Sequence, residues 1–127
     1  MNDDAIARLD RERYVSLETR RRDGRTVRTP VWFAAHGGRL YVFTEAEAGK
    51  VKRLRNFPEL RLAPCNVRGK VHGEWIPATG RVVSDPAVIE AAYAALGRKY
   101  GWLMTATNFF SRLTGRISGR AMLEIAV

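Results

Sequence analysis

Lys50, Lys52, Arg53 and Arg55 fall within six residues, and the only acids near them, Glu45 and Glu47, come before. Cations at that spacing are what a phosphate needs. It is held by donors converging from different elements, and each charge-assisted hydrogen bond to it contributes about 1.5 to 3 kcal/mol. Thr44, at the end of the apolar run "LYVF", adds a hydroxyl, and a short helix over residues 48–56, stopped by Pro58, adds backbone N–H groups at its start. The segment reads as an anion socket. Taken by itself, the same run also reads as the solvated face of a helix.

No other residues have the spacing of a reactive centre. The chain has no G-x-S-x-G elbow, no H-E-x-x-H, no G-x-G-x-x-G and no evident carboxylate pair. Cys65 is the one cysteine, so an internal disulfide and a C-x-x-C metal pair are both closed to it, and it reads as a small buried apolar residue. His36 and His72 sit in glycine turns and read as exposed. Catalytic and metal-ligating residues are therefore assigned to none, and a cofactor would have to bring the chemistry. The charge balance agrees with an anionic ligand: 22 Lys+Arg against 13 Asp+Glu give +9, a surface that attracts polyanions of every kind.

The elements that must position the socket follow from periodicity. At 127 residues and 46% hydrophobic content, the chain is expected to fold as a single domain over 1–127. No apolar run approaches the roughly 20 residues of a membrane span and no leader pattern opens the chain, so a soluble, cytoplasmic protein is expected. After a short helix over 2–9, Val15, Leu17 and Thr19 alternate with polar neighbours in a strand. Asp23-Gly24 turns the chain into a second strand over 26–35, and "HGGR" into a third, "LYVFT". Past the basic helix, "LRLAPCNV" and "EWIPATGRVVS" read as strands, with Pro77 and Gly80 indicating an edge or a bulge in the latter. Asp85-Pro86 opens a long helix with apolar residues at helical spacing, a short helical piece follows near 107–113, and "RAMLEIAV" closes the chain as the sixth strand. Six antiparallel strands with flanking helices make a mainly β chain, best closed as a small barrel with helices outside.

The stretches "RTPVWFAAHGGRLYVFT", "GKVKRLRNFPELRLAPC" and "GRVV" resemble the pyridoxamine-phosphate-oxidase-like split-barrel family, in the branch that binds the deazaflavin F420 or FMN. The likeness covers residues 14–84; beyond them the elements agree in order and kind. It implies an FMN-binding split barrel, a homodimer, and a flavin-type ring in a cleft between subunits. Thr29, Pro30, Val31 and Trp32 would run beside the ring, Thr44, Lys50, Lys52 and Arg53 would hold the phosphate, and Cys65 and Asn66 would line the same cleft. Pro30 has no N–H, which by itself argues for an edge. The arginine-rich first hairpin favours F420, with its phosphodiester and oligoglutamate tail, over FMN. The expected activity is hydride transfer to or from a small unsaturated substrate, whose pocket would draw on residues 102–110. Two readings of another class stand beside it: a flavin or tetrapyrrole carrier without turnover, and a basic nucleic-acid-binding barrel. The latter lacks interleaved aromatics beyond Tyr14, Trp32 and Tyr41, so nucleic acid is not expected as a partner.

Overall fold

A computed structural model describes residues 3–45, 48–101 and 120–127. The helical piece expected near 107–113 and the pocket segment 102–110 lie outside them. Helix α1 (Asp3–Asp10) leads into β1 (Tyr14–Arg20) and, across the Asp23-Gly24 turn, β2 (Thr26–Val31). Gly24 takes a φ of 89°, and the Asp23 carboxylate accepts the Arg25 N–H at 3.0 Å. Strands β3 (Ala34–His36) and β4 (Arg39–Glu45) form a second hairpin. Helix α2 (Gly49–Asn56) then crosses to β5 (Glu59–Cys65), followed by β6 (Ile76–Val83), α3 (Pro86–Tyr100) and β7 (Arg120–Ala126). Asp85 caps α3 as its sequence requires, accepting the Ala87 N–H at 2.9 Å.

The strands form one antiparallel sheet in the order β2-β1-β5-β6-β7-β4-β3. There are seven strands instead of six, because the run 26–35 is two strands on opposite edges of the sheet. Val31 of β2 lies opposite Val15 of β1, whereas Ala34 of β3 lies opposite Tyr41 of β4. Only Trp32 and Phe33 join them. So short a link between the two outermost strands makes the sheet curl and brings one end of each edge together, which gives a half-barrel. The side-chain alternation runs straight through the break: Val31, Phe33 and Ala35 pack into the barrel interior, and Trp32 packs outside with Ala34.

The interior is filled by Val15 and Leu17, Leu40 and Val42, Leu60 and Leu62, Leu123 and Ile125, together with Val51 and Leu54 of α2. Each fully buried side chain of this kind contributes roughly 1.5 to 3 kcal/mol. A second, outer cluster packs Ala92, Ala95, Leu96 and Tyr100 of α3 on Tyr41, Val83 and Met122.

Strand β6 corrects the expectation of an edge or bulge, since it runs between β5 and β7. Its register with β7 begins only at Thr79, so Pro77, opposite Arg61 of β5, sits where one side of the strand carries no ladder. Gly80 serves the site differently. A Cβ there would lie 2.8 Å from a methyl of Leu60 and 3.4 Å from one of Leu54, so the bare glycine lets α2 approach the sheet. Gly80→Ala is expected to cost about 1 kcal/mol, the low end of overpacking because leucine methyl ends can give a little, and to lower the thermal midpoint by about 4 °C. An unchanged midpoint in a calorimetric scan would mean that α2 does not need this close approach.

Candidate functional site

From the Trp32-Phe33 link the chain's two edges diverge: β3 stays alongside β4, and β2 leaves it for β1. Helix α2 packs on β1 and β6. Its Val51 and Leu54 are buried, Lys50 and Arg53 are half-buried, and Lys52 and Arg55 occupy the exposed face. Three residues apart, Lys50 and Arg53 share a helix face, yet they reach opposite sides of the split. Lys50 Nζ approaches Thr44 Oγ1 of β4 at 3.5 Å, and Arg53 Nε donates to Thr19 Oγ1 of β1 at 2.6 Å. Thr19 in turn lies opposite Val27 of β2.

Arg53 is held on two sides. A Cβ on Gly49 would come within 2.6 Å of its Nη1, so the guanidinium rests on the bare glycine backbone. Burial, with Arg21 adding like-charge repulsion, pushes its pKa below the ordinary arginine value, and among the described residues no carboxylate pairs with it. Since arginine stays protonated regardless, the result is a positioned, unneutralised positive charge. The start of α2 strengthens it. Ala48 at the N-cap provides no side-chain hydrogen bond and the first turn has no acid, so the N–H groups of Gly49 and Lys50 have no side-chain cap, while that of Val51 goes to the Ala48 carbonyl at 3.1 Å.

The other expected site residues divide into two groups. Thr29 and Val31 are half-buried on one face of β2, forming the second lip of the split, while Pro30 is exposed on the other face. Strand β2 is indeed an edge of the sheet. Trp32 stacks on Tyr100 with centroids 4.5 Å apart and planes 9° from parallel. Cys65 ends β5 and Asn66 follows it, at the end of β5 level with Val31 of β2 across β1. Cys65 is buried opposite Tyr14, and burial pushes its thiol pKa up, the opposite of what a reactive thiolate needs. Asn66 Oδ1 accepts the N–H groups of Arg68 and Lys70, both at 2.9 Å, and so shapes its own turn. The structure therefore links Lys50 to Thr44 and Arg53 to Thr19, leaves Lys52 facing outward, and places Thr29 to Val31 on the β2 edge, with the turn that Asn66 shapes lying against Pro30 through Gly69.

Three contributors escape a sequence reading. Thr19 ends the inward face of β1, and a hydroxyl in the last inward position of a strand is a usable signal for a rim contact. Gly49 opens the basic helix, and its part in seating Arg53 shows only in the fold. Tyr100 reads from the sequence as a residue that could reach the cleft but that packing of its helix on the barrel explains, and nothing local marks its bond to Phe33. Beside Thr19 lies a groove of about 650 Å³, lined by Arg20 and Arg61, by the carboxylates of Glu18 and Glu59, and by the apolar surfaces of Pro77, Ala78, Ala126 and Val127.

Neither a protein-family model nor a curated protein sequence matches the chain. Solved structures do. A candidate pyridoxamine 5'-phosphate oxidase from Listeria innocua superposes with a TM-score of 0.64 at 13% identity, over 98% of this chain and 90% of that one. An F420 reductase matches at 0.61 and 17% identity, over 99% of this chain and 93% of that one. The heme storage protein HutZ from Vibrio cholerae matches at 0.70 and 13% identity, over 98% and 88%. The fold is therefore that of the pyridoxamine 5'-phosphate oxidase-like split barrels, one that serves both redox cofactor and heme proteins. Among the described residues no helix is long and apolar enough to cross a membrane.

Proposed function

We propose that the chain is an F420-dependent or FMN-dependent oxidoreductase, acting as a cytoplasmic homodimer, that moves hydride between the cofactor ring and a small unsaturated substrate. The observation that carries this reading is Arg53: a half-buried guanidinium fixed by Thr19, seated on Gly49 and lacking an acidic partner among the described residues. A cation so placed needs an anion, and the likeness to an F420 reductase supports a coenzyme phosphate as that anion.

In this reading Arg53, Lys50, Thr44 and the first N–H groups of α2 hold the phosphate, while Thr29 to Trp32 present backbone groups and an indole to the ring. From Trp32 back to Thr29 the strand covers roughly 10 Å at the usual rise, which suits a ligand with a phosphate at one end and a heterocycle at the other. The bound cofactor supplies the hydride chemistry. The protein binds it, orients it and keeps water from the reacting face. F420 is the first choice because the arginine-rich first hairpin, with Arg20, Arg21 and Arg22, suits its longer anionic tail better than the single compact phosphate of FMN.

The fold shared with HutZ supports one competing ligand, heme. The described part of the split offers threonine, valine, tryptophan and phenylalanine there, with no histidine, and His36 and His72 are both exposed elsewhere. Titration of the purified chain with F420, FMN and hemin in parallel tests the proposal. Saturable binding of F420 or FMN, tighter for F420, is expected. Binding of hemin alone would replace it with a tetrapyrrole carrier.

A further inference from the structure

The Trp32-Phe33 link is where two sheet edges part, and it leaves Phe33 outside both ladders: the β2 register ends at Val31 and the β3 register begins at Ala34. Phe33 is fully buried, so water cannot satisfy its backbone. A buried, unpaired N–H or C=O group is strongly unfavourable, and some partner has to be found. Tyr100, from the last turn of α3, is that partner. The Phe33 N–H donates to Tyr100 Oη at 3.0 Å, and the same oxygen lies 3.0 Å from the Phe33 carbonyl and 2.7 Å from that of Arg13, the two acceptors open to its proton. One phenol thus ties the root of the split to the residue that precedes β1.

Its ring does a second job, since Trp32 lies nearly parallel on it at 4.5 Å. The neighbouring residue strengthens the fixture. Lys99 Nζ sits 3.5 Å above the Phe33 ring centroid and 3.3 Å from Asp10 Oδ1, which also accepts the Ala35 N–H at 3.3 Å. The root is held from α3 on one side and from the end of α1 on the other.

We infer that Tyr100 is a positioning residue for the ring end of the cofactor site: its hydroxyl fixes where the two lips part, and its ring sets the plane of Trp32 as a rigid wall beside the heterocycle. This rests on the reading of the split as a cofactor site. A flat ring gains from a wall only if the wall's orientation is set before binding, and displacements of about 1 Å at such a position are felt in both affinity and alignment. Trp32 has two rotatable torsions, and the stack on an immobilised phenol restrains both.

The test uses the full chain with FMN as probe. Tyr100→Phe keeps the stacking ring and removes the hydroxyl, so Phe33 loses its partner. The expected result is an affinity for FMN lower by about tenfold, with an altered visible circular dichroism of the bound flavin, which reports ring orientation. Should that variant fail to fold, Trp32→Leu removes the wall without touching the hydroxyl network and is expected to give the same two changes. A folded variant that binds FMN with the wild-type Kd and the wild-type visible spectrum overturns the positioning role. Failure of the wild-type chain to bind either FMN or F420 overturns the cofactor reading and this inference with it, which keeps the two failures distinct.

Discussion

Replacing Lys50 and Arg53 together with alanine is expected to weaken FMN and F420 binding by about 10²- to 10⁴-fold, from two charge-assisted contacts of about 1.5 to 3 kcal/mol each. Arg53 should account for the larger part. Its Nε is already fixed on Thr19 at 2.6 Å, so binding an anion costs little side-chain entropy, and its planar fork can meet two phosphate oxygens. Arg53→Lys keeps the charge but loses the planar fork, and is expected to recover only a small fraction of the affinity. Gly49→Val tests the same arrangement from beneath. A Cβ there would meet Nη1 at 2.6 Å, so the guanidinium must move while every cation in the segment is retained. Binding measured by flavin fluorescence, with thermal unfolding to confirm that each variant is folded, decides the matter. Double-variant affinity equal to wild type would show that the anion is held elsewhere, and the proposed site would fall.

What the sequence made legible here was local. Period-2 alternation marks β1 and β4 because one face of each is buried in the barrel, and Asp85-Pro86 marks the start of α3 because a cap and a preset φ act within one turn. The split itself left no such trace. Residues 26–35 alternate without interruption, and the alternation is physically correct: Val31, Phe33 and Ala35 all face the interior although they belong to strands on opposite edges. A break that preserves side-chain phase is invisible to any reading of phase. The proposed phosphate socket was legible in its cations, because Lys50 and Arg53 sit on one short helix. Its supports were not. Thr19 meets Arg53 across 34 residues and Tyr100 meets Phe33 across 67, separations that only the folded topology closes. Pro77 shows the reverse case, a residue whose local rule holds at one stretch of a strand that is otherwise central.

The same long-range logic governs Glu18, where the second large effect is expected. Its side chain is only 5% exposed in the middle of β1, and it lies in register with Arg28 of β2 on one side and Arg61 of β5 on the other. Arg61 approaches it through Nε at 2.6 Å and Nη2 at 3.0 Å, and Arg28 through Nε at 2.8 Å. Both guanidinium carbons also lie over the Trp75 ring, at 4.5 and 5.1 Å. One carboxylate therefore joins three strands, including the free-edged β2 lip of the split. Glu18→Ala would leave two arginines facing each other across the vacated position. A fully buried pair broken this way loses about 3 to 5 kcal/mol, but these arginines are about half exposed and regain water, so about 2 kcal/mol is the expected loss. Hydrogen bonding from Arg61, opposed by burial and assisted by Arg28, holds the Glu18 carboxyl below its ordinary value. A depressed native pKa stabilises the fold wherever the unfolded carboxyl is already ionised, above about 4.3, and that stabilisation is lost as the pH falls through the native value. Urea unfolding of wild type and Glu18→Gln should accordingly differ by a constant amount from neutrality down to about pH 5, and the gap should narrow in more acidic solution. A gap that widened with acid, or none at neutral pH, would mean that the carboxylate does not clamp β2 to the sheet.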